Sequence, residues 1–567
     1  MLINYFFMSF QNILDHNMVS ENSEYGDYNR KVLSCHVLVI GSGGSGTRAA
    51  IEASQFGETI LVTRTIAGKG GCTTMAEGGY NAVMKEDDSC PMHEEDTLKG
   101  GAYLNDPKLV DVLVNESPER MNDLVKWGAV FDVTAEREIA QRPFGGQRFP
   151  RTCYAGDRTG HEIMMTLIER LRISDVKVLA EVTVIELLKR GDIVCGAAAV
   201  DINGNLVIIE ADAVVLATGG GTQVYDISTN CATGNGQGFA MGYRAGAELI
   251  DMEMVQFHPT GAVHPYDARG RLITEAVRGE GGLLKDSKGR RFMEKYDPER
   301  MELSTRDVVS RAIATEISEG RGTDRGGVYL DVSHLDDKDI EEKLPVMLEQ
   351  FLQSGVDIRN EPMEVAPTAH HIMGGLRITP ECRTTVKGLF ACGEVAGGVH
   401  GANRLGGNAL ADTQVFGRRA GFYAGNEPDM EKVADEHQIG IIRQKLDSYL
   451  SGDTNPAEIK RRLKRVMWDD AGIFRTGEKL KTALKEIAEL KKLKPKAAES
   501  GSFIDCWTVQ DMLEVAELIV KGAIMREESR GAHVRTDIET AWTPEKSPFG
   551  HTFQSISRSG IEKKEVL

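Results

Sequence analysis

The stretch HVLVIGSGGSG, residues 36–46, decides the fold. The run His36–Ile40 is nearly all apolar and bounded by glycine, so it predicts a short buried strand. Glycines follow at 41, 43, 44 and 46. TRAAIEASQFG (47–57) then predicts a helix, and TILVTR (59–64) predicts a second strand. Strand, glycine turn, helix and strand form the unit that sets a helix N-terminus against a pyrophosphate. A lone G-x-G-x-x-G says little, but between two strands at this distance it predicts a dinucleotide site. An NAD site usually ends its second strand in an acid that binds the ribose. This strand ends in Thr63-Arg64, which leaves NADP, through Arg64, or a flavin nucleotide as candidates.

Two further segments repeat the pattern. DAVVLATGGGT (212–222) runs into glycines and is followed by TGNGQGFAMGYRAGAEL (233–249). KGLFACGEVAGGVHGANRLGGNALA (387–411) again reads as strand, glycine turn and helix. Three such segments far apart suit one large cofactor wrapped by a discontinuous Rossmann-like domain. We place that domain at 34–257 and 366–430, with an inserted α+β capping domain at 258–365. The class is α/β. From about 431 the pattern becomes amphipathic, as in EIKRRLKRVMWDDAGIF, TGEKLKTALKEIAELKKL and TVQDMLEVAELIVKGAIMREE. This predicts a bundle of about three antiparallel helices over 431–540. Residues 1–33 read as an N-terminal extension, with Met8 or Met18 as alternative starts, and 541–567 as an irregular tail.

Composition narrows the function. The 567 residues carry a formal net charge of −18, with 41% hydrophobic and 27% charged residues, which argues against binding nucleic acid. No apolar run reaches the roughly 18 residues of a membrane helix. The nine cysteines are scattered without C-x-x-C spacing, so neither a metal site nor an iron–sulfur cluster is expected in this chain. Scattered thiols without a leader sequence suggest a cytoplasmic protein, held at a membrane face only through partners. KKLKPK (491–496) reads as a solvated helix end.

The chemistry concentrates in QFHPTG (256–261), LITEAVRGEGG (272–282), STRDVVSRA (304–312), PTAHHIMGG (367–375) and HGANRLGGN (400–408). Each alone has a structural reading. Together they bring histidines and arginines to one cofactor without metal-ligand spacing, which suits a pocket for a small dianion. With QRPFGGQ (141–147), DRTGH (157–161) and ESRGAH (528–533), these motifs resemble the flavoprotein subunit of succinate dehydrogenases and fumarate reductases. The resemblance runs from about 34 to 540. The wording GCTTMAEGGYNAV (71–83) is most similar to the methanogen-type, thiol-dependent fumarate reductases.

The resemblance implies FAD, held by Gly41, Gly43, Gly44, Gly46, Thr63, Arg64, Gly71, Cys72, Thr73, Gly78, Gly79, Val182, Thr218, Gly219, Asn235, His371, Asn408, Ala409 and Leu410. Glu394 matches the acid that holds the ribityl or ribose hydroxyls. Thr63-Arg64 stands where the family has Ser-Lys. His258, Thr274 and Glu275 are implied at one carboxylate of fumarate or succinate, and His370 and Arg404 at the other, with Phe144 nearby. Clamping both ends sets the geometry for hydride transfer from flavin N5. Arg306 is implied as the proton donor, with Glu275 and Arg278 as its relay. Arginine is a poor acid, with a pKa above about 12, so it needs a strongly basic acceptor and immediate reprotonation. A separate iron–sulfur subunit is implied as electron source, oxidising the thiols of coenzymes M and B in methanogen-type enzymes. Succinate oxidation and L-aspartate oxidase remain as alternatives. Cys72 stands where many relatives carry a flavin-linked histidine. With no partner nearby in sequence, it is expected to be a small neutral packing residue beside non-covalent FAD.

Overall fold

The computed structural model describes residues 31–430, 434–539, 549–550 and 552–565. Its largest sheet has seven strands. Strand Lys31–Ile40 is flanked in parallel by Thr59–Thr63 (Val37 opposite Thr59) and by Leu206–Leu216 (Val37 opposite Ala213). Lys177–Ala180 extends one edge in parallel, and Leu389–Ala391 also pairs in parallel with Leu206–Leu216. The first strand begins five residues before the expected His36. Its added stretch, KVLSC, mixes polar and apolar residues and is only partly covered, so it lacks the continuous apolar signature of 36–40. Residues 31–33, read as extension, therefore belong to this strand, and residues 1–30 lie outside the described residues.

A four-stranded antiparallel sheet carries the insert, in the order Val255–Ala262, Met363–Ile372, Val328–Asp331, Leu283–Lys285. It has its own apolar core, drawn from residues between Ala262 and Val365. The expected boundaries at 258 and 366 fall inside its two longest strands, Val255–Ala262 and Met363–Ile372, which pair with each other. This pairing fixes His258 and His370 on neighbouring strands, with His258 opposite Thr368.

Among its described residues the C-terminal part holds four α-helices where about three were expected: Glu436–Leu450, Pro456–Asp470, Gly477–Leu490 and Phe503–Met525. Side chains of Asp435, Asn455 and Thr476 cap the first three. The last buries most of its surface. The tail is not irregular where it is described. Thr552–Ser557 and Gly560–Glu565 form a hairpin whose first strand pairs with Leu249–Ile250. Its polar, lysine-rich second strand gave no apolar alternation to read. Among the described residues no helix is long and apolar enough to cross a membrane.

Candidate active site

The three glycine segments meet at one cavity of about 790 Å³, an ordinary size for a ligand site. Helix Gly44–Ala53 begins at the carboxyl end of the first strand and directs its N-terminus there. Gly41 has φ +108°, and a Cβ on it would lie 2.3 Å from the Ala217 carbonyl oxygen. A Cβ on Gly46 would lie 1.8 Å from the Gly41 carbonyl oxygen. Gly43 and Gly44 line the cavity, while Gly46 lies behind them and lets helix and strand touch.

Thr63 and Arg64 line the wall at the end of the second strand. The Thr63 hydroxyl is 2.7 Å from that of Ser42, and Arg64 donates to Gln237 at 3.4 Å and Thr508 at 3.3 Å. Gly71, Cys72, Thr73, Gly78 and Gly79 form another wall, with Val182, Thr218 and Gly219 also on the cavity. Ala409 and Leu410 reach it from the start of helix Asn408–Gly425, as does His371 from the end of strand Met363–Ile372 and Glu394 from the short 3-10 turn Gly393–Val395.

Asn235 and Asn408 are not on this wall. The Asn408 Oδ1 accepts from Asn81 at 2.7 Å and bonds His93 at 3.0 Å in a buried network, while the Asn235 amide donates to Ala232 at 3.1 Å. At the start of the Asn408 helix it is the next two residues that meet the cavity, and the first side chain turns back into the protein.

The residues present fit FAD. Glycine backbone and a helix N-terminus suit a pyrophosphate, and the buried Thr218 Oγ1 and His371 Nε2 have no partner among the described residues. The Glu394 carboxylate accepts from the Ile372 N–H at 3.1 Å, and burial pushes it up to about 7. Such a carboxylate is set to accept from hydroxyls.

Cys72 is not alone. Its Sγ donates to Cys231 Sγ at 3.8 Å, across 159 positions of sequence. No spacing rule finds such a neighbour, because the two turns meet only through the fold.

A charged cluster adjoins the cavity. Arg306 opens helix Arg306–Glu316 and Glu275 opens the short helix Glu275–Gly279, capped by the Thr274 hydroxyl. The Arg306 guanidinium donates to Glu275 Oε2 at 2.8 Å, and Glu275 Oε1 accepts from the Gly145 N–H at 2.8 Å. Arg278 Nη2 stands 3.8 Å from the same carboxylate and Nη1 donates to the Glu302 carbonyl at 2.6 Å. Burial alone would raise the Glu275 carboxyl, but Arg306 and Arg278 outweigh it and hold it below the usual range.

Across the cluster Arg404 Nη2 meets His370 Nε2 at 3.0 Å, while His370 Nδ1 is 2.6 Å from the Thr229 hydroxyl. The His258 and His370 rings lie 5.0 Å apart. Burial first, then neighbouring positive groups, push both histidines well below their ordinary range, so both are neutral near pH 7. Burial and then Arg306 likewise push Arg404 down, and its Nε has no partner among the described residues. Arg306, His370, Arg404 and Phe144 line the cavity, whereas His258, Thr274, Glu275 and Arg278 stand behind them.

Two residues of this cluster escaped sequence reading. Gln256 Oε1 accepts from both Arg306 and Arg404, each at 3.3 Å, and its amide donates to Asn403 and the Arg404 carbonyl. Gly406 lets the loop pass so closely that a Cβ there would lie 2.6 Å from Phe144 and 2.8 Å from Glu275. Both lie in quoted motifs, beside residues whose charge drew attention first.

Comparison with known proteins agrees with this construction. The sequence family described as FAD binding domain matches residues 36–410, and that described as fumarate reductase flavoprotein C-term matches 460–554. A fumarate reductase (CoM/CoB) chain of Methanothermobacter marburgensis is 51% identical over 522 residues, covering 89% of this chain and 95% of that protein. The fumarate reductase flavoprotein subunit of Escherichia coli is 37% identical over 567 residues, covering 93% of each. A solved structure of Escherichia coli quinol fumarate reductase superposes with a TM-score of 0.89 at 34% identity, covering 94% of this chain and 97% of that one. The chain therefore belongs to the FAD-dependent oxidoreductase family of fumarate reductase and succinate dehydrogenase flavoprotein subunits, with a methanogen fumarate reductase among its relatives.

Proposed function

We propose that this chain reduces fumarate to succinate, with Arg306 as proton donor and electrons arriving from an iron–sulfur partner subunit. The observation that carries this is the hydrogen-bonded run Arg306–Glu275, continued by Arg278, which reaches the cavity beside Arg404 and His370. Within this cluster three guanidiniums face one carboxylate. The excess of positive charge beside the cavity suits a dicarboxylate. Arg404, with one nitrogen unpartnered, and neutral His370 hold one carboxylate, and His258 and Thr274 support the other end from behind Arg306.

Reduced FAD supplies the hydride when bound. Arg306 places a proton at the adjacent carbon, and Glu275 returns a proton to it with Arg278 behind. FAD is held non-covalently in this reading. The relative named for coenzymes M and B makes their thiols candidate electron sources here, delivered through the partner.

The test is the purified single chain with reduced viologen and fumarate. Turnover to succinate is expected, with bound FAD and no iron. Acid precipitation should leave yellow flavin in the supernatant. Failure to consume fumarate with FAD bound, or stoichiometric iron and acid-labile sulfide in the preparation, would overturn the assignment.

A further inference from the structure

The cavity wall holds chemistry that fumarate reduction does not use. Cys72 and Cys231 both line it, both are only partly buried, and their sulfurs are 3.8 Å apart. Neither lies in a helix or strand. Cys72 follows Gly70 and Gly71, the latter at φ +90°, and Cys231 stands in a turn closed by Thr233 and Gly234. A disulfide needs the sulfurs at about 2.05 Å. Side-chain rotation with small movement of two glycine-flanked turns can close the remaining gap without disturbing a sheet.

We propose that Cys72 and Cys231 are a redox-active pair, a dithiol that closes reversibly to a disulfide on the cofactor wall by exchange with low-molecular-weight disulfides. The two thiols are unequal, as such exchange requires. The Cys72 S–H points at Cys231 sulfur, and the Thr233 hydroxyl lies 3.2 Å from the same sulfur. The Cys72 hydrogen bond first, and Thr233 after it, bring Cys231 below the usual thiol range, while Cys72 is raised. Cys231, held by both Cys72 and Thr233, is thus the more acidic thiol and the attacking nucleophile of the pair.

The exchange balances without another oxidant. Cys231 thiolate attacks one sulfur of R–S–S–R, that bond breaks, and the departing RS⁻ takes a proton from water. The mixed disulfide no longer carries the charge that held the Cys72 proton. Cys72 releases it to water and attacks Cys231 Sγ, expelling a second RS⁻, which is protonated in turn. Two protein thiols and one small disulfide become one protein disulfide and two small thiols. Two electrons pass to the small disulfide, and excess thiol reverses the process. Closure removes a negative charge from the cavity wall. The pair rests on the sulfur geometry and the Thr233 contact and is independent of the fumarate assignment.

The experiment uses the full-length, FAD-loaded chain equilibrated in mixtures of 2-mercaptoethanol and 2-hydroxyethyl disulfide. Samples are acid-quenched, alkylated, digested and weighed by mass spectrometry, with bound flavin measured in parallel. A peptide pair joined through Cys72 and Cys231 is expected to accumulate as the disulfide fraction rises and to vanish in excess thiol. Cys72→Ser should stop at a stable mixed disulfide on Cys231, since no second thiol remains to displace it. In Cys231→Ser, Cys72 should acquire the adduct at least roughly tenfold more slowly. Absence of the joined peptide at the most oxidising ratio overturns the proposal. So does its appearance only after FAD is lost, or equal adduct rates in the two variants.

Discussion

The two ends of the cavity are built on opposite principles. At the cofactor end, backbone does most of the work: a helix N-terminus, glycines at 41, 43 and 44, and chain paths that a single Cβ would block. At the substrate end, long polar and charged side chains arrive from the strand at 256, the helices at 275 and 306, and the loop at 404, and are held by one another. Backbone sites depend on the absence of side chains, so they tolerate little added volume but need no charge balance. The charged end tolerates shape changes poorly for another reason, since removing one member leaves another buried and unpaired. Damage at one end should therefore spare the other.

The largest effect tests that separation. Arg306→Gln should lower fumarate turnover by about 10²–10⁴-fold, the usual cost of losing a general acid. FAD content and reducibility should stay at wild-type levels. Turnover above a tenth of wild type would remove Arg306 from the proton role, and loss of flavin would show that the two ends are coupled.

Gln256 comes next. Its single oxygen accepts from Arg306 and Arg404 together. Gln256→Leu removes a charged-group hydrogen bond worth about 1.5–3 kcal/mol, or roughly 10–100-fold. The loss should fall chiefly on KM for fumarate, because both guanidiniums lose their common support before substrate arrives. A change confined to kcat would mean that Gln256 acts on the proton path instead.

Gly46→Ala strikes the opposite end. The added Cβ would overlap the Gly41 carbonyl oxygen at 1.8 Å, and overpacking of this kind costs about 1–3 kcal/mol. Flavin content per chain and melting temperature should both fall, while KM for fumarate in the flavin-bearing fraction stays unchanged. A fully flavinated, equally stable variant would show that the cradle can relax.

The same contrast explains what could be read from sequence. Glycine spacing between strands is local, so the cofactor unit at 36–64 was legible from pattern alone. The charged end was legible only through long motifs shared with a family, because nothing local places Arg306 against Glu275 across 31 positions. Gln256 and Cys231 went unread since their meaning lies in a partner brought by the fold. The side-chain network of Asn408 with Asn81 and His93 was unread for the same reason. The tail hairpin was missed because its second strand, GIEKKE, has too few apolar residues to show alternation.

The smallest effect bears on Glu394, an ionisable group at the cofactor end. Burial raises the Glu394 carboxyl to about 7, so at pH 6 it is protonated in the protein without cofactor. Hydroxyls that donate to it favour the carboxylate and lower its pKa. Between the lowered value and about 7, FAD binding must then release a proton, and affinity must rise with pH by up to tenfold per unit. Above about 7 the group is ionised before and after binding, and the dependence should flatten. Calorimetry at pH 6 in buffers of different ionisation enthalpy measures the protons released. Close to one is expected for the wild type and close to none for Glu394→Gln. Proton uptake, or equal release by both proteins, would mean that Glu394 does not accept from the cofactor hydroxyls, and the cofactor end would then rest on backbone alone.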